Sequence, residues 1–209
     1  MRMKKRGIVY TGRINLPKIN YRLLIIFTLF LCGLIIGVEC VKYGSEPLVT
    51  SVKEIFDSSR AEKAQLGYLT LIIKSFLPFL FYLIAAFVMG VCAAGVPFIL
   101  MLPLFRGCMT GITGALMYSS YGVTGLGYCA LIVYPGTALA VSTLIFALSE
   151  SMRMSSGIFA LITDRKSAYA GYPLKMYCGR YGIFTAAALL AAVIDAVLFK
   201  AFESFFVFG

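Results

Sequence analysis

Residues 75–149 decide the fold: SFLPFLFYLIAAFVMGVCAAGVPFILMLPLFRGCMTGITGALMYSSYGVTGLGYCALIVYPGTALAVSTLIFALS. Among these 75 residues the one Asp, Glu, Lys or Arg is Arg106, with 31 uncharged positions before it and 43 after it. A membrane helix needs about 20 apolar residues to cross a hydrocarbon core about 30 Å thick. The stretch is long enough for about three crossings, and it predicts a polytopic membrane protein.

The composition agrees with this prediction. The chain has 209 residues, of which 60% are hydrophobic and 13% are charged, and its mean hydropathy is +0.90. Such values lie outside the usual range of soluble domains. The net charge of +10 does not indicate a nucleic-acid-binding protein, because the aromatic residues are not interleaved with the basic ones.

The residue inventory argues against an enzyme. The chain has no histidine, and its six cysteines are scattered without a CxxC pair. These absences remove Ser-His and Cys-His nucleophile pairs, the common zinc sites and a disulfide framework. No P-loop, no GxSxG motif and no intramembrane-protease aspartate pair occurs. We therefore expect no catalytic residue, no cofactor and no metal.

The apolar runs predict an all-α bundle of about five transmembrane helices. The single membrane domain covers residues 23–209, and its helices are expected at residues 23–41, 76–96, 98–121, 128–149 and 181–199. Prolines at 97 and 103 bracket residues 98–102, which predicts an inner turn or a broken helix there. Residues 121–127 contain three glycines and are expected to form an outer turn.

The charges of the polar segments predict the orientation. Residues 1–22 carry seven basic residues and no acid, and residues 150–180 carry five basic residues against two acids, so both are expected in the cytoplasm. Residues 42–67 hold four basic and four acidic residues, which fits the outer side. The amino terminus is then cytoplasmic and the carboxyl terminus extracytoplasmic.

The outer loop, residues 42–67, contains a predicted amphipathic helix. Glu46 and Pro47 are typical of a helix start, and apolar residues recur on one helical face. This helix is expected to lie on the outer leaflet or against a partner; packing over its own bundle is the alternative. The candidate partner-binding residues are Leu48, Val52, Glu54, Ile55, Phe56 and Asp57.

Three acidic or basic residues are expected near or inside the hydrocarbon, where a charged side chain is costly unless it has a partner or a function. If the second helix ends at Pro97, Arg106 lies ~12 Å inside the membrane; if the turn is at Pro103, Arg106 marks the cytoplasmic interface. Asp195 lies ~21 Å from the inner face, and Glu39 at a similar outer depth. Because Arg106 and Asp195 then differ by ~9 Å in depth, we expect Asp195 to meet hydroxyl groups, or to be protonated beside a neighbouring helix, rather than to pair with Arg106.

Small residues indicate close helix packing. Gly107, Gly111 and Gly114 recur at helical spacing in the third predicted helix, and the first helix carries a GxxxG pattern. In the fourth helix Pro135 interrupts the run, and Thr137 can satisfy the carbonyl that the proline leaves without a donor.

Several of these positions together resemble the stage II sporulation protein M family. The resemblance is carried, in order and at similar spacing, by Gly90, Gly95-Val96-Pro97, Phe105-Arg106-Gly107, Gly111, Gly125-Leu126 and Pro135. It departs after Pro135, where relatives tend to carry a polar pair or His-Gly and this chain has Gly136-Thr137.

The resemblance implies a non-enzymatic membrane anchor at the sporulation septum. Its implied partners are two extracytoplasmic peptidoglycan hydrolases, of amidase and lytic transglycosylase type, during engulfment of the forespore. Membrane lipid is a further expected partner, and assembly into a homo-oligomer is left open. The alternative function is a small transporter or permease subunit with a polar site near Arg106 and Asp195.

Overall fold

The computed structural model describes residues 21–44, 46–163, 174–202 and 205. Nearly all of the cytoplasmic tail predicted at residues 1–22, and most of the chain after residue 202, lie outside these described residues. Within them all regular structure is helical, which confirms the all-α prediction. The elements are α1 (Tyr21–Lys42), α2 (Glu46–Gln65), α3 (Tyr68–Val91), α4 (Val96–Tyr128), a π-helical turn (Cys129–Val133), α5 (Tyr134–Ile162) and α6 (Leu174–Phe202).

Four continuous helical segments are long and apolar enough to cross a membrane. They are Tyr21–Lys42, Tyr68–Val91, Val96–Ile162 and Leu174–Phe202. The third has 67 residues, and a straight helix of that length would measure about 100 Å, far more than one crossing needs. It is broken at Gly122, whose φ of 57° and ψ of −136° are not helical.

The chain reverses direction at Gly122. The α3–α4 turn marks one end of the bundle. The carboxyl-terminal part of α5 reaches the same end, because the Ser155 hydroxyl of α5 donates to the Cys92 carbonyl of the turn at 2.7 Å. Next to the break, a Cβ at Gly125 would lie 2.1 Å from the Met117 carbonyl oxygen. The segment Val96–Ile162 therefore contains two antiparallel crossings, and the bundle has five in the described residues.

The helices are longer than the apolar runs. α3 begins at Tyr68 instead of residue 76, α5 continues to Ile162 instead of residue 149, and α6 begins at Leu174 instead of residue 181. The predicted cytoplasmic loop 150–180 is therefore largely helical, although residues 164–173 lie outside the described part. Hydropathy marks where lipid surrounds a helix, whereas backbone hydrogen bonding continues into water wherever polar side chains permit it.

The inner turn, which the sequence placed near residues 98–102 as a turn or a broken helix, lies just before them in the structure. α3 ends at Val91, residues 92–95 form the turn, and α4 starts at Val96 with Pro97 in its first turn. A proline at this position is tolerated because the first amides of a helix have no intrahelical acceptor. Residues 98–102 are helical, and Pro103 is accommodated inside α4.

Helix α1 packs mainly on α4, and the two run in parallel. A Cβ at Gly33 would lie 2.2 Å from the Leu104 carbonyl oxygen, and one at Gly37 would lie 2.2 Å from that of Cys108. On α4, a Cβ at Gly107 would lie 2.2 Å from the Phe30 carbonyl oxygen, and one at Gly111 would lie 2.2 Å from that of Leu34. Small residues on both helices thus bring the two backbones into direct contact, as in GxxxG pairs.

The remaining crossings, α3, α5 and α6, pack on one another around two apolar clusters. The inner cluster lies near the α3–α4 turn, and its largest fully buried side chain is Tyr177. The outer cluster lies at the opposite end and includes Leu71, Ile132 and Phe199. Helix α2 sits at this outer end, where Phe56 packs against the cluster.

Candidate functional site

The outer helix α2 is fixed to the bundle by polar and apolar contacts. Phe56 packs into the outer cluster, and Asp57 accepts a hydrogen bond from the Tyr121 hydroxyl at 3.2 Å. Near the other end of α2, the Lys200 ammonium donates to the Ala64 carbonyl at 2.8 Å. Glu62 forms an ion pair with Lys74 of α3. Helix α2 therefore packs across the outer end of the bundle.

The opposite face of α2 is open, and we call Val52, Glu54 and Ile55 the outer patch. Ile55 is 65% exposed and Val52 is 38% exposed, and Glu54 is also exposed. The predicted set of partner-binding residues is thus divided, because Phe56 and Asp57 face the bundle. The side chain of Leu48 lies outside the described part of the structure.

Beneath α2 lies a cavity of about 240 Å³, which we call the central cavity. α2, α3, α4, the π-helical turn, α5 and α6 all contribute to its wall. Its charged side chains are four cations and one carboxylate, and residues with hydroxyl groups complete the polar lining; these residues are Arg60, Lys63, Lys74, Arg106, Asp195, Ser59, Ser75, Thr113, Thr137 and Tyr128. A polar cavity at membrane depth is what a polytopic bundle needs to hold charged groups away from lipid.

Arg106 lies on the wall of the central cavity, in contact with α3. It lies ten residues after the start of α4, about 15 Å along the helix axis. Its guanidinium carbon is 4.4 Å from the ring centroid of Phe79 and 5.9 Å from that of Tyr82, both on α3. Nε is buried and has no hydrogen-bond partner among the described residues. The aromatic faces stabilise the cation, but its donors are not fully used.

Asp195 lies on the cavity wall formed by α6 and is held by α3. The Ser75 hydroxyl donates to Asp195 Oδ2 at 2.8 Å. On the other side, a Cβ at Gly136 would lie 2.9 Å from the Asp195 Cβ, so only glycine fits where α5 crosses α6. Pro135 precedes this contact at the start of α5. The structure thus gives Asp195 a hydroxyl partner.

Arg106 and Asp195 share one cavity without forming an ion pair. Both side chains line the central cavity. No Arg106 nitrogen comes within 4 Å of an Asp195 oxygen in the described residues. The two side chains therefore present opposite charges to the same cavity.

The other residues singled out in the sequence lie elsewhere. Glu39 is exposed near the outer end of α1, and Gly107 and Gly111 lie in the contact with α1. Gly114 faces α5 instead, because its Cβ would lie 2.4 Å from the Tyr134 hydroxyl. Pro97 starts α4 at the inner turn. The structure therefore separates these residues into helix contacts, a helix start and an exposed rim.

Sequence reasoning missed a hydroxyl cluster at the inner end. Ser151 of α5 bonds both the Tyr177 and the Tyr181 hydroxyls of α6, at 3.2 Å for Tyr177. The Tyr177 hydroxyl also donates to the Phe87 carbonyl of α3 at 3.1 Å. Gly90 makes room for it, because a Cβ there would lie 2.2 Å from the Tyr177 oxygen. A serine four positions before another serine, with two tyrosines four apart, was the available signal.

Sequence reasoning also missed most of the cavity wall. Lys63, Lys74 and Ser75 come from segments that were assigned to the outer loop or to the boundary of a helix. In the described residues, no group of three or more His, Cys, Asp or Glu side chains is placed to hold a metal ion. The charged side chains that line the central cavity suit it to charge recognition.

Comparison with known proteins gives the family. The family model described as stage II sporulation protein M matches residues 26–198, which cover the described crossings almost completely. No curated protein and no solved structure matches the chain. The matched region contains the glycine contacts, Arg106, Pro135 and Asp195. With four long apolar helical segments and this match, the chain is a multi-pass membrane protein that belongs to the stage II sporulation protein M family.

Proposed function

We propose that the protein is a non-enzymatic membrane scaffold that holds extracytoplasmic partners through α2. The observation that carries the proposal is the seating of α2. Phe56, Asp57 and Ala64 fix the helix on the bundle, while Val52, Glu54 and Ile55 remain exposed. A rigid helix that displays apolar side chains on its outward face is suited to bind another protein with little ordering cost.

The partners proposed are those that the family resemblance implies. Membership in the stage II sporulation protein M family indicates a sporulation-related membrane protein. The partners we propose are peptidoglycan hydrolases of amidase and lytic transglycosylase type, located at the septal membrane during engulfment. The outer patch then lies on the wall side of the membrane, as the balanced charge of residues 42–67 predicts.

The test is co-purification of these hydrolases from detergent extracts of cells that express tagged variants. Val52→Glu and Ile55→Glu place a charge in the outer patch and are expected to release the partner, since an unpaired charge in an interface is costly. Val123→Glu is the matched control, because Val123 is an 81% exposed valine beside the outer turn but outside the patch. Retention of the hydrolases by both patch variants would refute the proposed docking face.

Charge reversals elsewhere on α2 are less informative. Changing Asp57 or Glu62 also disturbs the bond from Tyr121 or the ion pair with Lys74, which seat α2 on the bundle. Glu54 makes neither contact and is exposed. Glu54→Lys is therefore the preferred charge reversal for testing whether a partner binds this face through an electrostatic contact.

The central cavity favours a second candidate function, a small transporter or permease subunit. In that case Arg106→Ala or Asp195→Asn leaves hydrolase co-purification intact but abolishes a solute flux in vesicles. A scaffold predicts that these two variants keep hydrolase co-purification and change no flux, because neither residue belongs to the outer patch, whereas the outer-patch variants lose co-purification. The two functions are thus separated by which set of variants loses which measurement.

A further inference from the structure

The central cavity is lined by more basic than acidic side chains. Lys74 is paired with Glu62, and the carboxylate of Asp195 accepts its bond from Ser75 on the cavity wall. Arg106 lies at membrane depth with a buried Nε that has no hydrogen-bond partner among the described residues. Lys63 adds a further cation to the lining. A buried, charged donor such as the Arg106 Nε that has no protein acceptor indicates a site that is completed by a ligand.

The chemistry around Arg106 favours an oxyanion. Its guanidinium is a planar fork whose geometry matches a phosphate or a carboxylate. The hydroxyls of Thr113 and Thr137 line the cavity on the α4 and α5 sides. The Thr113 hydroxyl donates to the Met109 carbonyl at 2.9 Å, so Thr137 is the hydroxyl that adds a neutral donor to the charged one. Arginine and lysine are the side chains that most often bind phosphate groups in proteins, and a hydroxyl adds a neutral donor.

Two cavities meet at Arg106. The central cavity reaches the outer end of the bundle, where α2 supplies Ser59, Arg60 and Lys63 to its lining. A smaller cavity of about 100 Å³ shares Arg106, Thr113 and Thr137 with it and also includes Met109, which is 53% exposed on the surface of α4. Arg106 is therefore approached from the outer aqueous side through the central cavity and from the α4 surface through the smaller one.

We propose that the central cavity binds a phosphate group, with the Arg106 guanidinium as its principal ligand and Lys63 as an outer cation. The phosphate is either free in solution, entering beneath α2, or part of a lipid headgroup, entering beside Met109. The cavity volume suits a single phosphate-sized group and not a polymer segment. Because Arg106 lies outside the outer patch, this site is independent of the scaffold function.

The test is equilibrium binding of radiolabelled inorganic phosphate to the full-length protein, purified in detergent and stripped of lipid. Saturable binding is expected for the unchanged protein. Arg106→Gln is expected to weaken it roughly tenfold or more, as for the loss of a charge-assisted hydrogen bond. The matched control is Arg22→Gln, which removes an arginine at the start of α1, far from the cavity, and is expected to bind like the unchanged protein.

Two further variants keep the test decisive if Arg106→Gln does not fold. Arg106→Lys retains the charge but loses the fork, and Lys63→Gln removes an outer cation; each is expected to weaken binding by a few-fold. If both variants bind phosphate as tightly as the unchanged protein, the assignment is overturned.

The two sources of phosphate are separated by extraction before lipid is removed. Phospholipid that co-purifies at a fixed ratio and is lost in the Arg106 variants identifies a lipid headgroup, whereas binding of free phosphate without retained lipid identifies a solute. Both results support the site. Neither bound phosphate nor retained phospholipid in the unchanged protein would refute it.

Discussion

The Ser75 hydroxyl of α3 donates a hydrogen bond of 2.8 Å to the Asp195 carboxylate of α6, across 120 positions of sequence. This bond ties the first half of the chain to its last helix at the wall of the central cavity. It also places the two residues at the same depth. Asp195 therefore has a defined partner inside the bundle and needs no direct ion pair with Arg106.

Ser75→Ala is expected to destabilise the protein by about 1–2 kcal/mol, because the carboxylate loses a donor while it stays inside the bundle. The measurement is the thermal unfolding midpoint in detergent. Ser142→Ala is the control, since the Ser142 hydroxyl bonds the Ala138 carbonyl of its own helix and is exposed. Equal midpoints for the two variants would contradict a stabilising role for the Ser75–Asp195 bond.

Gly107→Ala is expected to destabilise the contact between α1 and α4 by about 1–3 kcal/mol, the usual effect of overpacking. The added Cβ would lie 2.2 Å from the Phe30 carbonyl oxygen, so the backbones must separate. Gly182→Ala is the matched control in α6, where nothing lies within 4 Å of the new Cβ. Alanine there is expected to be neutral or slightly stabilising, since it favours helix. Unfolding midpoints of the two variants decide between close packing and a loose contact.

Gly122→Ala tests the backbone at the reversal. The position has open space for a Cβ but a φ of 57°, which an L-residue adopts only with strain. The expected loss is about 1–3 kcal/mol in unfolding free energy. Gly67→Ala provides the comparison, because Gly67 also has open space but an extended backbone with φ of −69°. If both substitutions are tolerated equally, the reversal does not depend on glycine.

The orientation is tested by cysteine labelling in a variant whose native cysteines are replaced by serine. Val123→Cys lies beside the outer reversal, and Thr163→Cys lies at the end of α5 on the opposite side of the bundle. A membrane-impermeant maleimide added to intact cells is expected to label Val123→Cys and to reach Thr163→Cys after permeabilisation. The reverse pattern would invert the predicted topology.

Several features of the fold could be predicted because they depend on local sequence. The absence of charge in residues 75–149 outside Arg106 is sufficient to place the chain in lipid, and the glycines at 121–127 indicated the outer reversal. Helix ends were predicted less well. Lys74 and Glu150 mark where the apolar runs stop, yet α3 begins before Lys74 and α5 continues beyond Glu150. In both places, an ion pair with a neighbouring helix accommodates the charge within the helix.

By itself, the sequence determined that lipid surrounds most of this protein, that it is helical, and how many crossings it has. These features depend on the hydropathy and length of each segment, which are local properties of the sequence. Only the tertiary structure decided that Arg106 and Asp195 face one cavity, that α2 covers it, and that Phe56 points inward while Ile55 points out. These facts depend on the rotation of each helix about its axis and on contacts between distant segments. Apolar patterning leaves that rotation undetermined in a membrane, since lipid and the protein interior are equally apolar.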